Sequence, residues 1–435
     1  MVEMVGTTEM TEATARQRNW AGNITFHAAR LHYPETIADI QRLVSGGSKV
    51  RVLGSRHSFN DIADTTGDLL SLTHFTPALT FDHERHTVTV GAGATYGEIS
   101  RQIHAAGYAL HNMASLPHIS VAGACATATH GSGDGNGNLA TAVAAMELVT
   151  ADGTVVTLSR AEHGEQFLGA VVGLGALGVV TKLTLNLVPT FAMRQDVYEN
   201  LPLAQLEAHF EEIASSAYSV SLFTNWQNER VKQVWRKRRV ADNTEPEAEP
   251  TFFEATLART NLHPLGTLSA AATTPQLSTV GPWYERLPHF RMESVPSNGE
   301  ELQTEYFVPR PYAVAAFRVM HGLRDQIAPL LQISEVRTIA ADDLWMSPCY
   351  AQACVALHFT WEKDWEGVQK LLPLIEEQLA PFNARPHWGK VFTMPATHVQ
   401  SRYAKLPEFA RLLRSHDPEG KFRNAFLDTY ILGAH

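Results

Sequence analysis

The chain has 435 residues, of which 44% are hydrophobic and 18% are charged, and its formal net charge is −10. This composition is typical of a soluble globular protein that is long enough for two domains and a large core. The negative charge argues against broad binding of nucleic acid or of an anionic membrane surface, because both require a positive field.

The N-terminal residues 1–18 are polar and acidic, so they are predicted to be disordered and not to be a secretory signal. No stretch approaches the roughly 20 apolar residues that span a bilayer. Cys125, Cys349 and Cys354 are too few for a disulfide framework and are predicted to be buried free thiols. We therefore expect a soluble, cytoplasmic monomer without a metal site.

Helices and strands alternate over the first hundred residues. Apolar residues at helical spacing predict a helix from residue 34 that the glycines at 46 and 47 end. Strands are predicted over 49–53 and 86–90, and a short helix follows near 96–103. Both strands run into glycine-rich loops, which is typical of a ligand site at strand ends.

Small residues dominate the segment SLPHISVAGACATATHGSG (115–133). Such a segment packs poorly as a core, but it allows backbone to lie against a flat or extended ligand where larger side chains would collide. Next, MELVTADGTVVTL (146–158) predicts a hairpin that turns at Asp152-Gly153.

The pattern changes after Pro189, and seven of the eight tryptophans and several alternating strands follow. We predict an α+β protein with a first domain over 19–190, a second domain over 191–380 and a loop-rich C-terminal segment, 381–435, that returns to the first domain. An acidic tract at 241–250 is predicted to be a surface excursion. The basic run KQVWRKRR (232–239) is interpreted as a solvated strand or helix edge, with a phosphate site as the alternative.

Two motifs resemble well-known binding sites, but the secondary structure that those sites require is not predicted around them. GLGALG (173–178) matches a dinucleotide fingerprint, but the strand-like VVTKLTLNLV follows it where a helix is required. His83-Glu-Arg-His86 is one residue short of a zinc helix motif, so its histidines would not share a helical face. We expect neither a Rossmann site nor a metal site from them.

A histidine stands on a glycine-rich turn at a strand end in GSRHSFN (54–60). Such a residue is exposed and rigidly placed, and its neutral imidazole is a competent nucleophile. The alternative is a loop histidine that only binds the backbone.

GSRHSFN resembles the covalent-flavin segment of the vanillyl-alcohol-oxidase-type family, in which the histidine bonds the FAD. The segment 115–133 resembles the second FAD-binding stretch of that family, GALGVVTKLTL (175–185) resembles the third, and DPEGKFRNAF (417–426) is similar to the C-terminal block. The four blocks occur in the family's order. The resemblance implies a two-domain flavoprotein with an FAD-binding domain and a substrate (cap) domain built on an antiparallel sheet.

Four further segments resemble the bacterial alditol (xylitol) oxidases within that family: 19–23, 112–123, 281–291 and 384–393. The resemblance implies FAD bonded to His57, with Arg56 standing where the family has glycine. The other cofactor-binding positions that it implies are Val52, Leu53, Gly54, Ser55, Arg56, Ser58, Ser115, Ser120, Gly123, Thr127, Ala128, Thr129, His130, Val179 and Asn424.

Polar residues alternate along two strands of the second domain. Glu335 and Arg337 are two residues apart and so project from one strand face, as do His358 and Thr360. An exposed sheet that carries a salt bridge is one interpretation, and a pocket for a polyol, which needs many hydrogen-bonding groups, is the other. The resemblance implies that the substrate is bound by Ser115, Glu335, Arg337, His358, Thr360 and Lys390.

The resemblance implies oxidation of the terminal primary hydroxyl of an alditol, such as xylitol or sorbitol, to the aldose, with O₂ reduced to H₂O₂. Arg337 and Lys390 would stabilise the substrate oxygen as it gains negative charge, and Glu335 would orient the neighbouring hydroxyls. The proton acceptor stays open. The alternatives are a sugar-lactone or aldonolactone oxidoreductase, a dehydrogenase with another electron acceptor, and a non-catalytic binding protein.

Overall fold

The computed structural model describes residues 17–241, 248–294 and 299–433, so the disorder predicted for 1–18 and the acidic excursion at 241–250 lie mostly outside the described residues. Within these ranges the strands, β1 to β20 in chain order, are Arg30–His32, Val50–Leu53, Asp68–Ser71, Thr80–Asp82, Thr87–Gly91, Tyr108–Ala109, Val143–Val149, Val155–Ser159, Val179–Asn186, Val188–Pro189, Ala192–Pro202, Ser219–Thr224, Arg230–Val240, Thr251–Phe252, Ala255–Leu257, Gly281–Pro282, Leu302–Pro309, Leu331–Ile339, Cys354–Trp361 and Arg385–Pro386.

The helices, α1 to α11, are Ile37–Gly46, Tyr96–Ala105, Val121–Ala126, Arg160–Val171, Leu203–Ala214, Ala313–Gly322, Arg324–Ile327, Trp365–Leu379, Ala396–Ser401, Leu406–His416 and Ala425–Leu427. In the described part of the chain, no helix is both long enough and apolar enough to cross a membrane.

The N-terminal half contains a parallel sheet in the order β1-β3-β2 and an antiparallel sheet in the order β4-β5-β9-β7-β8. Helix α1 begins with a capping box, in which Thr36 and Asp39 satisfy each other's backbone N–H groups. Its apolar residues Ile40 and Val44 pack into a small core with Val50. The predicted first helix and strands are confirmed, as is the hairpin, which β7 and β8 form.

A ten-stranded sheet occupies the C-terminal half, in the order β14-β15-β11-β13-β12-β18-β19-β17-β20, with β16 beside β11. Its central strands are antiparallel, and their register aligns Phe223, Glu335, His358 and Glu305 across four neighbouring strands. Because side chains alternate along a strand, these residues project from one face of the sheet. The predicted α+β class with an antiparallel sheet is confirmed.

The opposite face of this sheet is apolar. Leu357, Phe359 and Trp361 on β19 are fully buried and belong to the same core cluster as Phe317 of α6 and Ile375 of α8. The helices therefore cover the apolar face, and the polar face is left for the N-terminal half of the chain.

The basic run 232–239 lies in β13, inside the sheet, so its interpretation as a solvated edge is wrong. Its charged side chains have partners elsewhere in the fold. The guanidinium carbon of Arg236 lies 4.1 Å from the ring centroid of Phe252, and Arg238 forms a salt bridge of 2.6 Å with Asp196. Lys237 is fully buried.

The C-terminal segment is helical where loops were predicted. The apolar residues Phe409, Leu412 and Leu413 of α10 recur at helical spacing and are buried, which explains the helix. The segment also contacts both halves, because β20 pairs with β17 and the N–H of Val50 donates to the carbonyl of Lys421 at 2.9 Å.

Candidate active site

A cavity of about 360 Å³ lies between the N-terminal half and the polar face of the ten-stranded sheet. The N-terminal half lines it with residues 51–63 and 114–130, and the sheet lines it with side chains of β17, β18 and β19. Its volume is in the range of small-molecule and cofactor sites.

His57 follows β2 and lines this cavity. Its ring stacks on Trp20, with ring centroids 5.3 Å apart and planes 24° apart. Desolvation, together with the nearby Lys390, lowers the pKa of His57 to about 4, so the imidazole is neutral at physiological pH. Its Nδ1 atom is shielded from solvent and has no hydrogen-bond partner among the described residues. The ring is therefore uncharged, held in place and chemically free.

Arg56 adopts a φ of +63°, the left-handed conformation that glycine takes most readily. This explains why a glycine is common at such a position. The turn forms with arginine nevertheless, because the Arg56 carbonyl accepts from the N–H of Trp20 at 2.8 Å and its guanidinium donates to Gln17 at 3.0 Å.

Two loops rich in small residues meet on the cavity wall. Ser55 and Ser120 exchange backbone-to-side-chain hydrogen bonds of 3.1 and 3.4 Å. A Cβ atom on Gly54 or on Gly123 would lie 2.6 or 2.7 Å from Oγ of Ser120, so neither position has room for one. Both glycines line the cavity and have no side chain to fill it, as the predicted contact with a flat ligand requires.

Arg337 is the centre of the polar face. Its guanidinium contacts Oε1 of Glu305 at 2.6 Å and Oε1 of Glu335 at 3.6 Å, and it donates to Oγ of Ser115 at 3.3 Å. Glu335 also contacts Nε2 of His289 at 2.7 Å. All but Ser115 are buried, so a network of ion pairs forms the floor of the cavity.

The charge state of this network follows from its pairing. Burial alone would raise the pKa of Glu335, but Arg337 and His289 outweigh it and hold the pKa below its usual range. Burial would likewise raise the pKa of Glu305, which His130, Arg337 and His358 instead hold well below its usual range. Both carboxyl groups are therefore ionised and accept hydrogen bonds only.

Lys390 lies opposite, on the loop that follows β20. The Asn60 side chain donates to the carbonyl oxygens of Trp388 and Lys390, both at 2.8 Å, and so ties this loop to the His57 loop. The Lys390 ammonium contacts Oε1 of Gln303. Desolvation lowers the pKa of Lys390 to about 8, which leaves it mostly protonated at neutral pH.

The structure brings most of the predicted site residues together around the cavity. They are Val52, Leu53, Gly54, Ser55, Arg56, His57, Ser58, Ser115, Ser120, Gly123, Thr127, Thr129, His130, Glu335, Arg337, His358, Thr360 and Lys390. Ala128, Val179 and Asn424 do not line it. Val179 belongs to the small core of α1, and the Asn424 side chain donates to the carbonyls of residues 61, 62 and 64 at 3.0–3.2 Å.

Two family models match the chain: an FAD-binding domain over residues 28–159 and D-arabinono-1,4-lactone oxidase over residues 183–430. Alditol oxidase of a Streptomyces species is 48% identical over 95% of this chain and 99% of its own length. The chain belongs to the vanillyl-alcohol-oxidase-type family of FAD-dependent oxidoreductases.

More distant relatives in the same family act on lactones by name. L-gulono-1,4-lactone dehydrogenase of Mycobacterium tuberculosis is 28% identical and L-gulonolactone oxidase of Mus musculus is 26% identical, each over 94% of this chain and 97% of its own length. Among solved structures, cholesterol oxidase from B. sterolicum has a TM-score of 0.75 at 14% identity, with 96% of each chain covered. That likeness concerns the fold alone.

Several residues of this flavoprotein site were not predicted. Glu305 is the chief of them, although Gln303 and Glu305 in LQTEYFVP show the same spacing of two as Glu335 and Arg337. His289 lies in the segment 281–291, but nothing in its spacing marks it. Trp20 is distant from His57 in the sequence, and only folding brings the two rings into contact.

Proposed function

We propose that this protein oxidises the terminal primary hydroxyl of an alditol, such as xylitol or sorbitol, to the aldose and reduces O₂ to H₂O₂. The observation that carries the proposal is the charged, hydrogen-bonding floor around Arg337, which faces the His57 loop across one cavity. A polyol satisfies such a floor because each of its carbons offers a hydroxyl, whereas an apolar substrate would leave the remaining hydrogen-bonding capacity of the floor unsatisfied. The 48% identity to an alditol oxidase supports the same substrate class.

We propose His57 as the residue that bonds FAD. A neutral imidazole with a free buried nitrogen fits that role, and the open backbone at Gly54 and Gly123 fits a flat ring system. The loops 52–58 and 115–130 would hold the cofactor. Bound FAD supplies the acceptor for the hydride and then the electrons for O₂.

Glu335 would bind the substrate as a pure hydrogen-bond acceptor for its hydroxyls. Ser115, His358 and Thr360 would add groups that both donate and accept, so that successive hydroxyls are each satisfied. Holding several hydroxyls fixes the position of the terminal carbon, and this orientation lowers the barrier.

Arg337 and Lys390 would stabilise the oxygen of the reacting CH₂OH group. That oxygen gains alkoxide character as its proton leaves, and a hydride leaves the carbon more easily from an alkoxide. Fixed cations aimed at developing charge in a desolvated site contribute strongly to catalysis. Arg337 stays charged throughout, since its neighbouring carboxylates outweigh its burial and raise its pKa.

An aldonolactone is the second candidate substrate, because the model that matches residues 183–430 is that of a lactone oxidase. The two can be separated by assaying the purified protein with xylitol, sorbitol and L-gulono-1,4-lactone while measuring H₂O₂. We expect peroxide in proportion to alditol consumed. Faster turnover of the lactone would replace the proposal, and flavin reduction without peroxide would make the protein a dehydrogenase.

The covalent bond can be tested by acid precipitation. We expect the 450 nm absorbance of the wild-type protein to stay in the precipitate and that of the His57→Ala variant to pass into the supernatant. His209→Ala, on the exposed side of α5, is the matched control. Release of flavin from the wild type would contradict the assignment.

A further inference from the structure

A buried lysine to which the preceding mechanism gives no role lies behind the ion-pair network that forms the floor of the cavity. Lys237 of β13 is fully buried. Ser221 of β12 pairs with both Trp235 and Arg337, so these residues lie on one face of the sheet. Lys237 and Glu335 lie on the same face, because each is two positions from one of them on its own strand. Its Nζ contacts the carbonyl oxygens of Leu287 and Pro288 and Nδ1 of His289, at 2.5, 3.0 and 3.0 Å. A buried amine with three fixed partners is costly to build without a purpose.

His289 connects this amine to the cavity. Its other nitrogen, Nε2, contacts Oε1 of Glu335 at 2.7 Å. The ring is held edge-on between Phe223 and Trp235, with centroids 5.4 and 5.2 Å away, and its backbone N–H donates to the carbonyl of Ser115. Glu335, His289 and Lys237 therefore form a continuous line from the cavity into the sheet.

The hydrogen-bond partners allow two states of this line. The two carbonyl oxygens beside Lys237 accept hydrogen bonds only, so they take two N–H groups of the amine in either state. A protonated Lys237 also donates to Nδ1 of His289, which leaves the proton of His289 on Nε2, toward Glu335. A neutral Lys237 accepts from an Nδ1–H instead, which leaves Nε2 unprotonated beside the Glu335 carboxylate, with Oγ of Ser221 as its donor at 3.5 Å. The two states differ by one proton.

We propose that Glu335, His289 and Lys237 form a proton relay that accepts the hydroxyl proton of the alditol. The O–H bond of the substrate breaks and its proton passes through Glu335 to Nε2 of His289, while the proton on Nδ1 moves to Nζ of Lys237. The electron pair of the C–H bond leaves with the hydride to the flavin, so the relay gains one proton and no electrons. This inference rests on the proposed function, for which it supplies the proton acceptor.

The charges around the relay fit this use. Burial lowers the pKa of Lys237 to about 7; Glu335 opposes the shift, whereas Arg337 and Arg286 add to it. Burial lowers the pKa of His289 to about 4, so His289 passes the proton on and does not keep it. The relay is thus ready to accept a proton above about pH 7.

The test is anaerobic stopped-flow reduction of the flavin by xylitol between pH 5.5 and 9. In the wild type we expect the rate to rise with pH through about 7. Lys237→Met should lose this rise and be about 100-fold slower above pH 7, as for a missing general base. His289→Gln, which keeps a donor toward Glu335 but cannot relay, should lose as much, and the double variant should lose no more.

Lys232→Met is the matched control, because Lys232 lies on the same strand and does not line the cavity. Unchanged rates and an unchanged pH profile in Lys237→Met would overturn the relay, as would additive losses in the double variant. If Lys237→Met fails to bind FAD, the pH profile of His289→Gln decides the same question.

A measurement without substrate separates this inference from the proposed function. If no alditol reduces the wild-type flavin, the proposed function fails. Nitrogen-15 NMR of His289 in the FAD-loaded protein then decides the relay. A change from Nδ1–H to Nε2–H as the pH falls through about 7, absent in Lys237→Met, supports it. A single tautomer over the whole range overturns it.

Discussion

Arg56 shows how one residue can occupy a conformation that is unfavourable for it next to a functional group. Its φ of +63° costs a non-glycine residue about 1 kcal/mol or more, and the turn it forms presents His57 to the cavity. Strain of this kind persists where the surrounding contacts fix the backbone, here through Trp20 and Gln17.

Replacing Arg56 by glycine should relieve this strain. We expect Arg56→Gly to retain covalent FAD and to raise the free energy of unfolding by up to about 1 kcal/mol, since the flexibility that glycine adds to the unfolded chain offsets part of the gain. Arg56→Val should lower it, because a β-branched residue tolerates this conformation worst. Urea unfolding of both variants measures the difference, and a less stable Arg56→Gly would show that the guanidinium contact with Gln17 matters more.

The pKa of Lys390 predicts how the rate of flavin reduction depends on pH. Its cation is needed to stabilise the substrate oxygen, and its pKa of about 8 means that the cation is present below pH 8 and lost above it. We expect the rate of flavin reduction to fall above pH 8 in the wild type. Lys390→Met should be 10²–10³-fold slower, the usual effect of removing one group that stabilises an oxyanion.

Lys390→Arg distinguishes charge from position, because its guanidinium stays protonated over the whole range. It should retain part of the activity and lose the decline above pH 8. Lys370→Met, on the exposed surface of α8, serves as the control. A decline that persists in Lys390→Arg would assign it to another group.

At the scale of single elements, period-two spacing identified only part of the polar face. His358 and Thr360 stand out because apolar residues fill the alternate positions of their strand, whereas Glu335 and Arg337 show only the spacing of two. Glu305 has Thr304 and Tyr306 as neighbours, so its strand alone does not show which face is polar. The pairing of β17 with β19 decides it, and that pairing places Glu305 opposite His358, which is distant from it in the sequence.

The same limit explains the two wrong predictions about elements. Lys237 is buried only because the carbonyls of Leu287 and Pro288 reach it, and no local pattern in the basic run encodes those partners. The glycine and asparagine residues of the C-terminal segment outweighed the helical spacing of α10 in its interpretation. Local chemistry therefore predicted that the loops 54–60 and 115–133 face a cavity, but it did not predict the buried charges.

Glu305 should stabilise the sheet as well as the site. Glu305→Leu leaves Arg337 buried with one carboxylate fewer, and breaking a buried ion pair costs about 3–5 kcal/mol. We expect a lower free energy of unfolding and a higher KM for xylitol. Glu305→Gln, which keeps an acceptor for Arg337, should lose clearly less, and equal losses in the two variants would mean that its charge is unimportant.

At the scale of the whole molecule, the C-terminal segment ties together distant parts of the N-terminal half. The Lys421 ammonium donates to the carbonyls of Val44 and Ala151, both at 2.7 Å, and Asn424 binds the three carbonyls that follow the His57 loop. The sequence resemblance implied that Asn424 contacts FAD. Its place outside the cavity instead favours an indirect role, in which the last residues hold the loop that carries His57.

Asn424→Ala tests this indirect role. The variant leaves the carbonyl of Asp64 without a donor, whereas those of Asp61 and Ile62 keep the Asp64 N–H and the Arg51 guanidinium, and this should cost about 1–3 kcal/mol of stability. The loosened loop should also incorporate less covalent FAD, while xylitol KM in the molecules that do carry FAD stays unchanged, since no substrate contact is lost. Asn225→Ala, outside the cavity lining, is the control. A raised KM at full FAD content would instead place Asn424 in contact with the bound molecules, because only a group at the site can weaken substrate binding without loosening the cofactor.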